Sequence, residues 1–340
     1  MRSLKLLVLI LVLCYAVVEF TQDRGTGDNM ENDILEIKEQ LKPLDFSGDG
    51  RYPALLMDYF EFYGLDFADN DIEHTFGTFE SDGRLLAAHI FRPKEYKATV
   101  FVLHGYLNHC GELRHLIRFL IEADFAVAAF DMPGHGLSGG QRGAIEDFSQ
   151  YSRALADFVN VVDEHLDGPY HVIGFSTGGS AIMDYLLTHE DNVFDRVILA
   201  APLVRCCGWQ QSKTGFRLCK PFADSVPRMH RENSSDKEFL EFNRSRDFLH
   251  LQTVPLKWVQ ALHDWNDRIA DLPACEAKVK VIQGAADTTV DWKFNVEFIR
   301  NKFGNAKITI IEGARHELFN ESADIRKQVF SQISSYLAEK

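Results

Sequence analysis

From residue 74 onward, nearly continuous apolar runs alternate with amphipathic stretches. The runs are Ala98 to Leu103, Phe125 to Phe130, His171 to Ile173, Val197 to Ala200, Val279 to Ile282 and Ile308 to Ile311. A strand with one wet face would alternate apolar and polar residues, so these runs predict strands buried on both faces. Two more β-rich runs, His74 to Glu80 and Arg84 to Phe91, flank Ser81-Asp82-Gly83 and predict a hairpin. Helical patterns cover Leu113 to Glu122, Phe148 to Leu166, Ser180 to Thr188 and Ser322 to Leu337. In the second of these, Tyr151, Leu155, Phe158, Val159 and Val162 share one face. Strand, helix, strand in repetition predicts an α/β fold: a mostly parallel eight-stranded sheet, its leading hairpin included, with helices on both faces.

The rhythm breaks after Pro202 and resumes near Lys278, with two adjacent cysteines, Pro221, Pro227 and an Asn233-Ser234-Ser235-Asp236 turn in between. The expected organisation is a first core segment at 73–202, an inserted lid at 203–265 and a second core segment at 266–340. Residues 23–72 read as an N-terminal extension, polar and acidic at first, with an amphipathic stretch from Asn32 to Leu41 that stops before Pro43. Tyr52 to Phe67 is dense in aromatics and is expected to pack on the body. At the start, Arg2 and Lys5 precede an unbroken apolar run from Leu6 to Val18. A spanning helix needs about 20 apolar residues and a secretory core roughly 7–15, so residues 1–22 read as a signal peptide or signal anchor. The expectation is an exported protein, periplasmic, secreted or held at a membrane by this segment, with cleavage and lipidation at Cys14 both open.

Composition narrows the function. With 46% hydrophobic and 25% charged residues the chain is of globular type, and its formal net charge of -14 opposes binding to a phosphate backbone, so no nucleic-acid partner is expected. Six cysteines include no C-x-x-C pair, and no zinc-ligand spacing appears, so neither metal nor cofactor is expected. A bridge from Cys206 or Cys207 to Cys219 stays open.

The strongest chemical signal is Gly174-Phe175-Ser176-Thr177-Gly178, directly after one predicted strand and directly before a predicted helix. A nucleophilic serine on so tight a turn needs small residues two before and two after it. Its hydroxyl also needs a base, and the base needs a carboxylate to fix its tautomer. On a sheet of this kind the order is serine, acid, histidine, each at a strand end. Asp287 follows the run Val279 to Gly284 and a small-residue turn, with Asp291 as its rival further on. His316, after Ile308 to Ile311, is the one histidine that follows Asp287. Backbone N–H groups for a developing oxyanion would come from Thr177 and from Tyr106, with Leu107 next if the turn is longer. His104 precedes Ser176 and is expected to buttress that loop.

With these residues placed, the chain resembles the monoacylglycerol lipase and lysophospholipase branch of the α/β-hydrolase family, serine aminopeptidase S33-type hydrolases. The resemblance runs from about residue 73 to the C-terminus. It rests on His104-Gly105-Tyr106, the stretch Asp131 to Gly140, the turn at Ser176, Gly284 to Asp287 and Gly313 to Glu317. It implies a serine carboxylic-ester hydrolase working through an acyl-enzyme, without cofactor, on a single-chain lipid ester. It also implies a structural role near the entrance for His135 and Ser138. The first 72 residues have no counterpart in the minimal enzymes. Trp209, Phe216, Phe222, Trp258 and Trp265 could line an acyl tunnel or simply pack. The same scaffold serves peptidases and acyltransferases, and also binding proteins that have lost a catalytic residue. A peptidase would recruit lid acids for an α-amine, from among Asp224, Glu232, Asp236, Glu238 and Glu241.

Overall fold

The computed structural model describes residues 27–339 apart from 49, 68–71, 190 and 230. The signal segment expected at 1–22, Cys14 included, lies outside the described residues. Helix Gly27–Gln40 forms a unit by itself, and residues from Leu41 onward form a second. Among the described residues no helix is long and apolar enough to cross a membrane.

The second unit is built on one eight-stranded sheet. Its strands are β1 (Ile72–Ser81), β2 (Arg84–Pro93), β3 (Thr99–Leu103), β4 (Ala126–Phe130), β5 (Tyr170–Phe175), β6 (Phe194–Ala200), β9 (Val279–Gly284) and β10 (Lys307–Ile311), while β7 (Ser225–Pro227) and β8 (Thr253–Pro255) form a separate ribbon. The order across the sheet is β1-β2-β4-β3-β5-β6-β9-β10. The β1–β2 and β2–β4 pairs are antiparallel and every later neighbour is parallel. Strands β3, β4 and most of β5 are buried along their length, as expected of runs covered on both faces.

The chain steps from β3 outward to β4, then returns to place β5 on the other side of β3. That reversal opens a crevice at the carboxyl ends of β3 and β5, where open α/β sheets bind their ligands. The turn Gly105-Tyr106 leaves the end of β3, and Ser176 leaves the end of β5.

The expected N-terminal extension divides. From Lys42 it joins the sheet unit: Leu44 N–H bonds the Thr78 carbonyl at 2.9 Å, and Thr78 N–H bonds the Lys42 carbonyl at 2.8 Å. Helix Ala54–Tyr63 buries Leu56, Tyr59, Phe60 and Tyr63 in an aromatic cluster with His74, Phe76 and His89.

Between β6 and β9 lie helices Trp209–Cys219, Lys237–Ser245 and Leu256–Asp271 together with the β7–β8 ribbon. The boundary expected at 265 falls inside the last helix, which is part of the core. Trp265 is fully buried and stacks on Phe148 with ring centroids 5.0 Å apart. Its indole N–H, the Arg268 guanidinium and the Ser152 hydroxyl all donate to the buried Asp184 carboxylate. Phe222, by contrast, is 88% exposed. Cys110, Cys206, Cys207, Cys219 and Cys275 are free thiols.

Candidate active site

The turn after β5 holds Ser176 at φ 52°, ψ -112°, a conformation that costs a non-glycine residue about 1–3 kcal/mol. Three backbone bonds hold it there. Ser176 N–H donates to the Ala200 carbonyl at 2.9 Å, and its own carbonyl accepts from Ser180 at 3.2 Å and Leu203 at 3.1 Å. A Cβ on Gly178 would lie 2.5 Å from the Leu103 carbonyl oxygen, so helix Thr177–Thr188 meets the end of β3 only because that position has no side chain. A Cβ on Gly105 would come within 2.9 Å of the Phe175 ring and 3.2 Å of Ser176 Cβ. The small residues are therefore close-approach devices that bring the turn after β3 against the serine.

Three segments distant in sequence meet here. His316 Nε2 lies 3.1 Å from Ser176 Oγ, and His316 Nδ1 lies 2.7 Å from Asp287 Oδ2. All three residues are buried. Asp287 Oδ2 also accepts from the Gln283 amide at 3.0 Å, and Oδ1 accepts from Thr289 N–H at 2.7 Å and Val290 N–H at 3.2 Å. Burial opposes the charge on Asp287, but the imidazole beside it and these donors hold its carboxyl below the ordinary range. Burial likewise opposes a charged His316, yet the Asp287 carboxylate outweighs that and raises the imidazole above its ordinary value. Asp291 is elsewhere: its carboxylate accepts from Phe294 N–H at 3.4 Å and caps helix Trp292–Lys302.

In the turn after β3, Asn108 N–H bonds the Gly105 carbonyl at 3.2 Å, which puts Tyr106 and Leu107 in its two central positions, Leu107 at φ 70°. The Tyr106 ring stacks on Trp258 at 3.6 Å, and its hydroxyl donates to the Gly143 carbonyl at 2.8 Å. Thr177 opens the helix that follows Ser176, so its N–H has no acceptor one turn back. His104 holds the base of the loop, with Nδ1 2.7 Å from the Gly105 carbonyl and Nε2 accepting from Met132 N–H at 2.9 Å. Burial pushes its pKa down to about 4, so it stays neutral. Ser138 ties the stretch after β4 to the hairpin: its hydroxyl donates to the Asp131 carbonyl and accepts from Ala87 N–H. His135 packs edge-on against Tyr106.

Beside the triad lies a second buried polar group that sequence reasoning passed over. Glu112, Asp247, Glu317, His109, His250 and Asn108 are all more than nine-tenths buried. His109, Glu112 and Asp247 bring their potential ligand atoms within 4.8 Å of one another. The tautomer argues against an ion there. His109 Nδ1 accepts from Gly111 N–H at 3.1 Å, which leaves the ring proton on Nε2, directed at Asp247 3.0 Å away. Gln283 was also passed over, although it is a polar residue in the otherwise largely apolar strand β9, and it reaches the acid of the triad.

The family model described as serine aminopeptidase, S33, matches residues 94–323. Among curated proteins, the chain is similar to monoglyceride lipase of Rattus norvegicus, 26% identical over 271 residues covering 76% of this chain and 89% of that protein. It is also similar to a probable lysophospholipase L2 of Haemophilus influenzae, 20% identical over 75% of this chain and 88% of that one. A solved monoglyceride lipase of Saccharomyces cerevisiae shares the fold with a TM-score of 0.66 at 18% identity, over 77% of this chain and 94% of the other.

Proposed function

This chain belongs to the serine aminopeptidase S33 family of α/β-hydrolases and is an ester-hydrolysing enzyme, and from that premise we propose that its substrate is a single-chain lipid ester, a monoacylglycerol or a lysophospholipid, cleaved through an acyl-enzyme on Ser176. The observation that carries the reading is the unbroken relay from Ser176 Oγ through His316 to Asp287. As Oγ attacks the ester carbonyl, its proton passes to His316 Nε2, while Asp287 holds the Nδ1 proton in place. The oxyanion accepts N–H bonds from Thr177 and Tyr106. The imidazolium then gives its proton to the departing alcohol. Water, deprotonated by the same nitrogen, releases the fatty acid and restores the serine.

Lid acids that might have bound the α-amine of a peptide are otherwise engaged or on the surface. Asp236 caps helix Lys237–Ser245, Glu232 pairs with Arg315, and Asp224, Glu238 and Glu241 are exposed. That favours the ester over the peptidase. A panel of monoacylglycerols, lysophospholipids and aminoacyl amides tests it, with Ser176→Ala and a fluorophosphonate label as controls. Faster turnover of the amides, or a folded protein that Ser176→Ala leaves fully active, would overturn it.

Export completes the reading: residues 1–22 are proposed to carry the enzyme out of the cytoplasm and to keep it near membranes, where such substrates collect. Cell fractionation of the full chain tests this. Recovery in the cytoplasm alone contradicts it.

A further inference from the structure

Asn108, two residues past Tyr106, sends its amide N–H₂ to two carboxyl groups, Glu112 Oε2 at 2.6 Å and Glu317 Oε1 at 3.4 Å. Glu317 directly follows the base of the triad. Glu112 is bound to the same loop a second time, since Asn320 donates to its backbone carbonyl at 3.1 Å and to Glu317 Oε2 at 3.5 Å. The inserted segment joins the bridge through Asn243, which donates to Glu112 Oε2 at 3.1 Å, and Asn233, which donates to Glu317 Oε1 at 3.1 Å. Three segments are thus pinned at one buried point: the turn that carries Tyr106, the loop that carries His316, and the insertion.

Three buried carboxyl groups, Glu112, Glu317 and Asp247, crowd that point. Glu112 faces Asp247, Glu317, His109 and His250 with the Arg228 guanidinium among them, and Arg114 follows on its own side. Asp247 is well served for a negative charge, accepting from Tyr63 hydroxyl at 2.9 Å, Leu249 N–H at 3.0 Å and His109. Glu112 Oε1 is buried and among the described residues has no hydrogen-bond partner, with His250 Nε2 and His109 Nε2 standing off at 3.8 and 3.9 Å. A buried carboxylate oxygen without a donor is costly when ionised.

We propose, building on the ester-hydrolase reading, that Glu112, Asn108 and Glu317 form a proton-bearing clasp that ties the Tyr106 turn to the His316 loop. Glu112 is a positioning residue: it touches neither substrate nor reacting atoms. The amide bridges the two carboxyl groups in either protonation state; with both ionised their mutual repulsion opposes the bridge, and the two halves of the catalytic apparatus loosen. Burial, then the neighbouring Asp247 and Glu317, raises the Glu112 pKa well above the ordinary value, and burial raises that of Glu317. For a group raised in this way, the stabilisation is complete below the unfolded-state pKa and is lost as pH rises through the folded one.

The test is Glu112→Gln, which keeps size and removes the titration. The wild-type kcat/KM for a soluble ester is expected to climb as His316 loses its proton and then to fall by roughly tenfold per pH unit once the pair has ionised. Glu112→Gln is expected to keep the climb and lose the fall. Melting measured in a Ser176→Ala background reads the clasp without any turnover: Tm of the Glu112 protein should drop behind that of Glu112→Gln as pH rises. Superimposable pH–rate profiles, or a Tm difference that does not change with pH, would sink the clasp and leave the triad reading intact. Loss of turnover in neither Ser176→Ala nor His316→Ala would sink the triad reading instead. If Glu112→Gln does not fold, Glu317→Gln puts the same question from the other end of the bridge.

Discussion

Replacing Asp287 by Asn is the sharpest test of the relay, because the hydrogen bonds around the carboxylate dictate which way the amide must sit. Oδ1 accepts two backbone N–H groups, from Thr289 and Val290. The amide oxygen must stay there, since turning it away would aim N–H₂ at two donors. The N–H₂ is then forced onto the other side, against His316 Nδ1 and the Gln283 amide. A donor facing Nδ1 selects the tautomer with its proton on Nε2, the nitrogen that must accept the Ser176 proton. The variant also places two amide N–H₂ groups face to face at Gln283. Loss of the correct tautomer is expected to lower kcat by about 10⁴, which is roughly 5.5 kcal/mol of transition-state stabilisation. Steady-state hydrolysis of a p-nitrophenyl ester, with a melting curve to establish folding, measures it. A folded Asp287→Asn enzyme within tenfold of wild type would refute the argument, and a large loss in Asp291→Asn instead would move the role to that residue.

The pH–rate profile should show an acid limb whose midpoint lies above 6.5, since Asp287 raises the His316 pKa and the base must be unprotonated to work; a midpoint below 6.5 contradicts this. The same shift makes the His316–Asp287 contribution to stability complete at low pH and lost as pH rises through the folded value, as far as this one imidazole is concerned. Gly178→Ala forces a methyl to 2.5 Å from the Leu103 carbonyl and is expected to destabilise by about 1–3 kcal/mol in a denaturant titration; an unchanged midpoint would refute the close approach. Amide exchange should be faster across Trp209–Cys219, which buries only Trp209, than across Leu256–Asp271, which buries eight residues. The reverse order would contradict the anchoring role of the second helix.

Legibility of the chain followed burial. Runs such as Thr99–Leu103 and Ala126–Phe130 are apolar because both faces are covered, so the pattern reports the environment directly. The order and strand-end positions of Ser176, Asp287 and His316 could be read because this chemistry constrains them. Helix Trp292–Lys302 escaped notice: Asn295 is buried in it, bonding the Pro202 and Arg205 carbonyls, and breaks the stripe. Helix Leu256–Asp271 straddles the lid boundary expected at 265, because its tryptophans fit a tunnel as well as a core. The Glu112 cluster was illegible for a different reason. Its members come from three separate segments, and each alone looks like an ordinary surface acid, amide or imidazole.

These placements divide the insertion into two mechanical parts. Ser176 is only 6% exposed, so opening of the cover is expected before an ester reaches it. Moving helix Leu256–Asp271 would strip Trp265 from Phe148, Trp258 from Tyr106 and two donors, Trp265 and Arg268, from the buried Asp184. Exposing two buried tryptophans alone costs several kcal/mol at about 25 cal/mol per Å². The earlier part is held by polar contacts to the catalytic loops, Asn233 and Asn243 on Glu317 and Glu112, and Arg315 on the Glu232 and Ser234 carbonyls, and by the buried Phe239, Phe242, Leu249 and Leu251. Water replaces such bonds at a net cost nearer 1 kcal/mol each. Within the insertion, helix Trp209–Cys219 buries least, only Trp209, and is expected to yield first.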